Sequence, residues 1–130
     1  IPGQNVKLEK AYSDYFAKEG QKFQKANDIA KAAENFTKSS QVSNKQLKAR
    51  GLLSLGTLYF NNGASILQKA TPFANSEKEK YEAEKAKALA DFRKAQDYLK
   101  QAATVEPTNE AVKETQKQVA DAIAPLVEKK

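Results

Sequence analysis

Phe16-Ala17-Lys18-Glu19-Gly20-Gln21-Lys22-Phe23 returns 36 residues later as Leu52-Leu53-Ser54-Leu55-Gly56-Thr57-Leu58-Tyr59, with bulky residue, glycine and aromatic at the same spacing. Downstream of each copy comes an alanine followed four places on by an aromatic or Leu, Ala32 to Phe36 and Ala95 to Leu99. An internal repeat of this size predicts stacked helix pairs. Arrays of that kind present extended concave surfaces to other chains, so the pattern points to binding and offers no reacting centre.

The rest of the chain supports an all-α reading. Gly and Pro together number nine among 130 residues, and no strand-like alternation of β-branched residues persists. A first helix is expected from near Asn5, its N-cap, to Ala26, with Leu8, Tyr12, Tyr15, Phe16 and Phe23 on one stripe. Gly20 inside it costs about 1 kcal/mol relative to Ala, which a closely packed neighbour would explain. Asn27-Asp28 starts a second helix carrying Ile29, Ala32, Ala33, Phe36 and Ser40, and Ser43-Asn44 ends it. The third begins near Asn44, and its spacing from Leu47 to Ala70 survives Asn61-Asn62-Gly63.

Pro72 breaks that helix, since it cannot donate a hydrogen bond and pushes Thr71 out of helical geometry. Ser76 and Glu79 read as a capping box for a fourth helix from Glu77 to about Thr104, roughly 42 Å long at 1.5 Å per residue. Its second half has a packing stripe (Leu89, Phe92, Ala95, Leu99, Ala102), whereas Glu77 to Lys87 is mostly Glu, Lys and Ala and should project with thinner support. Thr108-Asn109 caps a last helix with Val112, Val119 and Ile123, which Pro125 is expected to end or kink.

With these residues in place, the chain resembles the tetratricopeptide repeat. In the first copy Phe16, Gly20, Phe23, Ala32, Phe36 and Ser39 fill family slots, while Glu19 stands for Leu and Asn44 for Pro. In the second, Leu52, Leu55, Gly56 and Tyr59 match the first helix of the pair, and Ala95, Leu99, Ala102 and Pro107 the second. The second alanine lies 27 residues later than the family spacing puts it, and the extra residues are helical in pattern, so both helices of that hairpin are expected to be lengthened. The resemblance implies an all-α, single domain of two such hairpins, repeat 1 over about 10–43 and repeat 2 over about 44–107, with a capping helix over about 109–124. Tyr59-Phe60-Asn61-Asn62-Gly63, the charged run at 79–86 and Val105-Glu106-Pro107 resemble exported bacterial members, which implies a periplasmic or otherwise exported location, with the cytoplasm as the alternative. Ile1 in place of an initiator Met fits a processed chain or a piece of a longer one.

The same resemblance places ligands on the inner face of the array, made by the first helix of each pair. The slots pointing there are Lys18, Gln21, Gln24, Lys25, Arg50, Ser54, Thr57 and Asn61. Amides and cations in that set suit the backbone and carboxylates of an extended peptide, although each residue also fits an ordinary solvated face. The family's clamp on a C-terminal carboxylate is not carried over, because two repeats fill most of its slots differently. Tyr12, Tyr15, Phe16, Phe23, Phe36, Tyr59 and Phe92 fall at core spacing, whereas Phe73 and Tyr81 lie on the lengthened hairpin and are expected to be exposed there. They mark a second reading, in which the hairpin docks to a fixed partner or to another copy as a homodimer.

Composition removes most chemistry. With no Cys, His, Met or Trp, disulfides, thiolate and imidazole catalysis and the usual zinc, copper and haem ligands are absent, and no phosphate loop or nucleophile elbow is present. Neither an enzyme nor a cofactor or metal site is expected. Glu77 with Glu79, and Glu82 with Glu84, are two apart on a helix and point to different sides. No apolar run nears the roughly 20 residues that span a bilayer. The net charge of +6 is concentrated early: residues 1–50 carry ten Lys or Arg against five Asp or Glu, and residues 104–130 four against five. The lysines are dispersed and only one Arg precedes residue 90, so nucleic acid or an anionic surface ranks as the weakest of three partner classes.

Overall fold

The computed structural model describes residues 6–127. They form α1 (Val6–Lys25), α2 (Ile29–Ser40), α3 (Lys45–Ala70), a 3-10 turn (Thr71–Phe73), α4 (Lys78–Val105) and α5 (Glu110–Val127). Polar side chains fix three of the helix starts by accepting hydrogen bonds from otherwise orphaned amides. Asp28 accepts from Lys31 N at 3.1 Å, Asn44 from Leu47 N at 3.0 Å, and Asn109 from Val112 N at 3.0 Å. The proposed cap Asn5 lies outside the described residues. Asn27 closes α1 with φ 62°, a left-handed conformation that Asn tolerates better than most residues, and Asp28 N then donates back to Phe23 O at 2.8 Å.

The helices stack in two layers. α1, α3 and α5 follow one another on one side, α2 packs on α1 and α3, and α4 packs on α3 and α5, while α2 and α4 do not meet. One core cluster holds Ala32, Phe36, Leu52, Leu55, Leu58, Ala102 and Val112. The other holds Ala88, Phe92, Ala95, Leu99, Val119 and Ile123, and half-buried Leu53 and Tyr59 join the two. Full burial of an aromatic or aliphatic side chain contributes about 1.5–3 kcal/mol, so each large residue of these two clusters is a substantial share of the fold's stability.

The repeated glycines do the same thing in both hairpins. A Cβ on Gly20 would lie 2.5 Å from the Phe36 ring, and one on Gly56 would lie 2.7 Å from Leu99 Cγ. Each glycine therefore admits the bulky residue of its partner helix. Phe36 follows its glycine by 16 positions and Leu99 by 43, so the extra 27 residues lie between paired slots and lengthen α3 and α4 without shifting their register. Gly63 admits Phe92 in the same way, at 2.8 Å, further along the lengthened pair.

Several expectations are corrected. α2 ends at Ser40 rather than Ser43-Asn44, because residues 41–44 become the link that positions α3. No capping box forms at Ser76: the N-cap is Glu77, without a side-chain hydrogen bond. The chain stays wound after Pro72, with Ala74 N donating to Thr71 O at 3.0 Å and Glu77 N to Phe73 O at 2.9 Å, which carries the helix start past Ser76. α5 runs through Pro125 to Val127. Tyr15 is 57% exposed and Leu8 53% exposed, because α1 is the outermost helix of its layer and its stripe is wider than the surface that α2 and α3 cover. Phe73 and Tyr81 are half-buried rather than exposed, and the Lys80 ammonium lies 3.9 Å from the Phe73 ring centroid.

Candidate functional site: the α1 and α3 surface

A buried polar network sets how α1 lies against α3. Ser13 Oγ donates to Ser39 O at 2.9 Å, and Ser39 Oγ donates back to Ser13 O at 2.8 Å. Arg50 of α3 reaches the same point, donating to Ser13 Oγ at 2.8 Å and pairing with Asp14 at 2.7 Å, while its Nε is buried with no hydrogen-bond partner among the described residues. One turn earlier Glu9 is buried and accepts from Ser43 Oγ at 2.6 Å, Ser43 N at 2.9 Å and Asn44 N at 2.9 Å. Those bonds hold the Glu9 carboxyl below its ordinary range, the Ser43 hydroxyl contributing most. Asp14 is held low by Lys10 and by Arg50.

Against this frame the eight inner-face residues separate. Arg50 is engaged with α1 and serves packing between hairpins. Lys18, Gln21 and Lys25 are exposed, and Ser54 and Thr57 are half-buried. Gln24 and Asn61 come together in a cleft of about 180 Å³ where the α1–α2 turn meets α3, lined also by Asn27, Ile29, Leu58, Asn62 and Ser65. Four of the seven lining residues carry side-chain amides, each offering two donors and an acceptor, over a floor of Leu58 and Ile29. Asn62 is oriented by donating to Asp91 Oδ2 of α4 at 2.6 Å.

Of the residues lining the cleft, the repeat places Gln24 and Asn61 on the inner face and gives no sign of Asn27, Asn62 or Ser65 there. Asn27 and Asn61-Asn62 stood out only as turn signals, and their convergence depends on α3 continuing unbroken beside the α1–α2 turn. Phe73 and Tyr81 sit at the far end of the lengthened hairpin, away from the cleft, where α3 and α4 extend beyond their first hairpin neighbours. Among the described residues no helix is long and apolar enough to cross a membrane.

No protein-family model matches this chain, and no curated protein does. Its architecture matches the crystal structure of a TPR repeats protein from Bacteroides fragilis, at 51% sequence identity and a TM-score of 0.91 over 95% of this chain. The chain belongs to the tetratricopeptide-repeat family. It covers 55% of the Bacteroides chain, about half its length. The paired contacts of Gly20 with Phe36 and of Gly56 with Leu99 are thus tetratricopeptide slots, with α3 and α4 forming the elongated hairpin.

Proposed function

We propose that this tetratricopeptide-repeat chain is a non-catalytic protein-interaction scaffold that holds an extended segment of a partner along the α1 and α3 surface. The amide-lined cleft carries this reading. Gln24, Asn27 and Asn61 supply donors and acceptors of the kind a peptide backbone needs, above an apolar floor. Lys18, Gln21 and Lys25 continue the surface along α1 and suit carboxylates of the bound segment. Residence in a bacterial periplasm belongs to the same reading, resting on the resemblance of residues 59–63, 79–86 and 105–107 to exported bacterial members, and cell fractionation tests it.

Panning a random-peptide display library against the immobilised chain tests the cleft. Selected peptides should bind a Gln24→Ala, Asn61→Ala variant at least about fivefold more weakly, since two lost hydrogen bonds at about 0.5–1.5 kcal/mol each reach that factor. A Lys113→Ala change on α5 should leave binding intact. Peptides indifferent to the first pair, or no selected peptide at all, would remove the cleft from consideration. Peptides lost on Phe73→Ala, Tyr81→Ala instead would favour docking through the hairpin.

A further inference from the structure

Because α2 and α4 never meet, the opposite layer has a groove of its own with α3 as its floor. Its volume is about 480 Å³, room for two or three bulky side chains, and its base is Leu52, Leu55 and the ring of Tyr98. Gln41 at the end of α2 and Gln101 on α4 face it from opposite walls. Past Tyr98, which stacks on Tyr59 at 5.9 Å between centroids, a second hollow of about 400 Å³ continues the groove toward Lys94. The two hollows share Tyr98 and form one trough along α4.

Cations stand at both ends, Lys48 at one and Lys94 with Arg93 at the other. Lys48 lines the end beside Ser40, with its ammonium 3.4 Å from the Ser40 carbonyl. Lys94 lies at the other end, 5.2 Å over the Tyr59 ring. Neither has a carboxylate partner among the described residues, unlike Lys10, Lys85, Lys87, Lys113 and Lys117, which all pair with an acid one helical turn away. The one acid lining the trough, Asp97, accepts from Gln101 Nε2 at 3.1 Å. From Thr104 near the first end to Lys94 is ten residues of α4, about 15 Å, the length of four or five residues of extended chain.

We propose that this back-face trough docks a short extended segment with acidic residues at both ends and apolar residues between them. The apolar side chains cover Leu52, Leu55 and Tyr98, the acids pair with Lys48 and Lys94, and the facing glutamines hydrogen-bond the segment's backbone. The partner meets the side opposite Gln24 and Asn61, so the chain can hold two proteins at once.

A peptide array tests it, with Leu, Val, Ile and Phe varied over a three-residue centre and each centre made with acidic, neutral and basic ends. Binding is read by fluorescence anisotropy at 50 and 300 mM salt. Acid-ended members should bind at least fivefold more tightly than basic-ended ones with the same centre, and weaken as salt rises. Thr104→Glu at the exposed rim and Lys48→Ala, Lys94→Ala should each cut binding at least fivefold, whereas Gln24→Ala, Asn61→Ala should leave it unchanged. Equal binding of acid-ended and basic-ended members, indifference to the rim and lysine variants, or no acid-ended member binding at all would each overturn the proposal. Loss with the Gln24 and Asn61 pair would also overturn it and place the acidic segment on the inner face.

Discussion

The two hairpins share one contact and differ in almost everything built around it. In each, a glycine of the first helix admits the bulky residue of the second, Phe36 for Gly20 and Leu99 for Gly56. Beside it, the small slots of the first hairpin are Ser13 and Ser39, whose hydroxyls bond reciprocally, whereas those of the second are Ala49 and Ala102, both fully buried. The first hairpin is tied further by Glu9 and by the Asp14 to Arg50 pair, and the second by Phe92 and the apolar face of α5. Shape at the glycine is what the fold demands, and either polar or apolar chemistry can surround it.

Removing the large ring from each hairpin should have the largest effect. Phe36→Ala and Phe92→Ala are each expected to lower unfolding free energy by about 3–5 kcal/mol in urea titrations. Phe92 also fills the space at Gly63, further along the lengthened pair than the Gly56 contact. Hydrogen exchange should therefore show Phe92→Ala loosening residues 60–90 ahead of α1 and α2, and a uniform loss of protection would contradict the division between hairpins.

Next comes the seam. A Cβ on Gly51 would stand 2.7 Å from the Ser40 backbone, which cannot rotate away as a side chain can. Gly51→Ala should cost about 1–3 kcal/mol by overpacking, and the loss should register as weaker protection in α2 and the start of α3. Gly20→Ala and Gly56→Ala fall in the same range, with Gly20 the costlier because the buried Phe36 ring is stiffer than the Leu99 side chain. The reverse order would mean that the first hairpin accommodates strain better than its packing implies.

These glycines also show what the sequence made legible. Gly20 and Gly56 stand out because they repeat, and their spacing to Ala32 and Ala95 is what points to the 27 extra residues. Gly51 does not repeat and looked like part of an apolar run, because a contact between hairpins leaves no periodic trace. The Ser76 capping box was locally well formed and was overridden by the wound turn after Pro72. Exposure is the least legible property: a stripe tells which side of a helix is apolar but not how much of it neighbours cover, so spacing alone puts Tyr15 in the core and leaves Phe73 bare. The amide cleft was half legible, since Gln24 and Asn61 followed from the repeat but Asn27 and Ser65 arrive by tertiary packing.

Acid should separate the hairpins more gently. The two carboxylates held low, Glu9 and Asp14, both belong to α1. A carboxylate lowered on folding contributes stability that is complete above its unfolded value and disappears as pH falls through the folded one. With ordinary values of 4.5 and 3.8, the loss should begin below about pH 4.5. Glu9→Gln should flatten the acid limb of a stability-versus-pH curve, and exchange measured at pH 4 should rise in α1 before it rises in α4. Equal acid loosening of both would mean that the Glu9 bonds to Ser43 and Asn44 add little.

The coupling between the two serines makes the sharpest comparison. Ser13→Ala and Ser39→Ala each leave a buried partner without its reciprocal bond, at about 1–3 kcal/mol. The double variant copies the alanines of the second hairpin, so it should cost less than the two single changes together, with a coupling of about 0.5–3 kcal/mol. Arg50 keeps it from being neutral, because Ser13 Oγ accepts from its guanidinium at 2.8 Å and Arg50 Nε already lacks a partner. Adding Arg50→Leu should recover part of the loss if the serines serve only to close the hairpin. If it recovers nothing, the Asp14 pair and the angle it sets between α1 and α3 are what the serines support, and the inner surface depends on them.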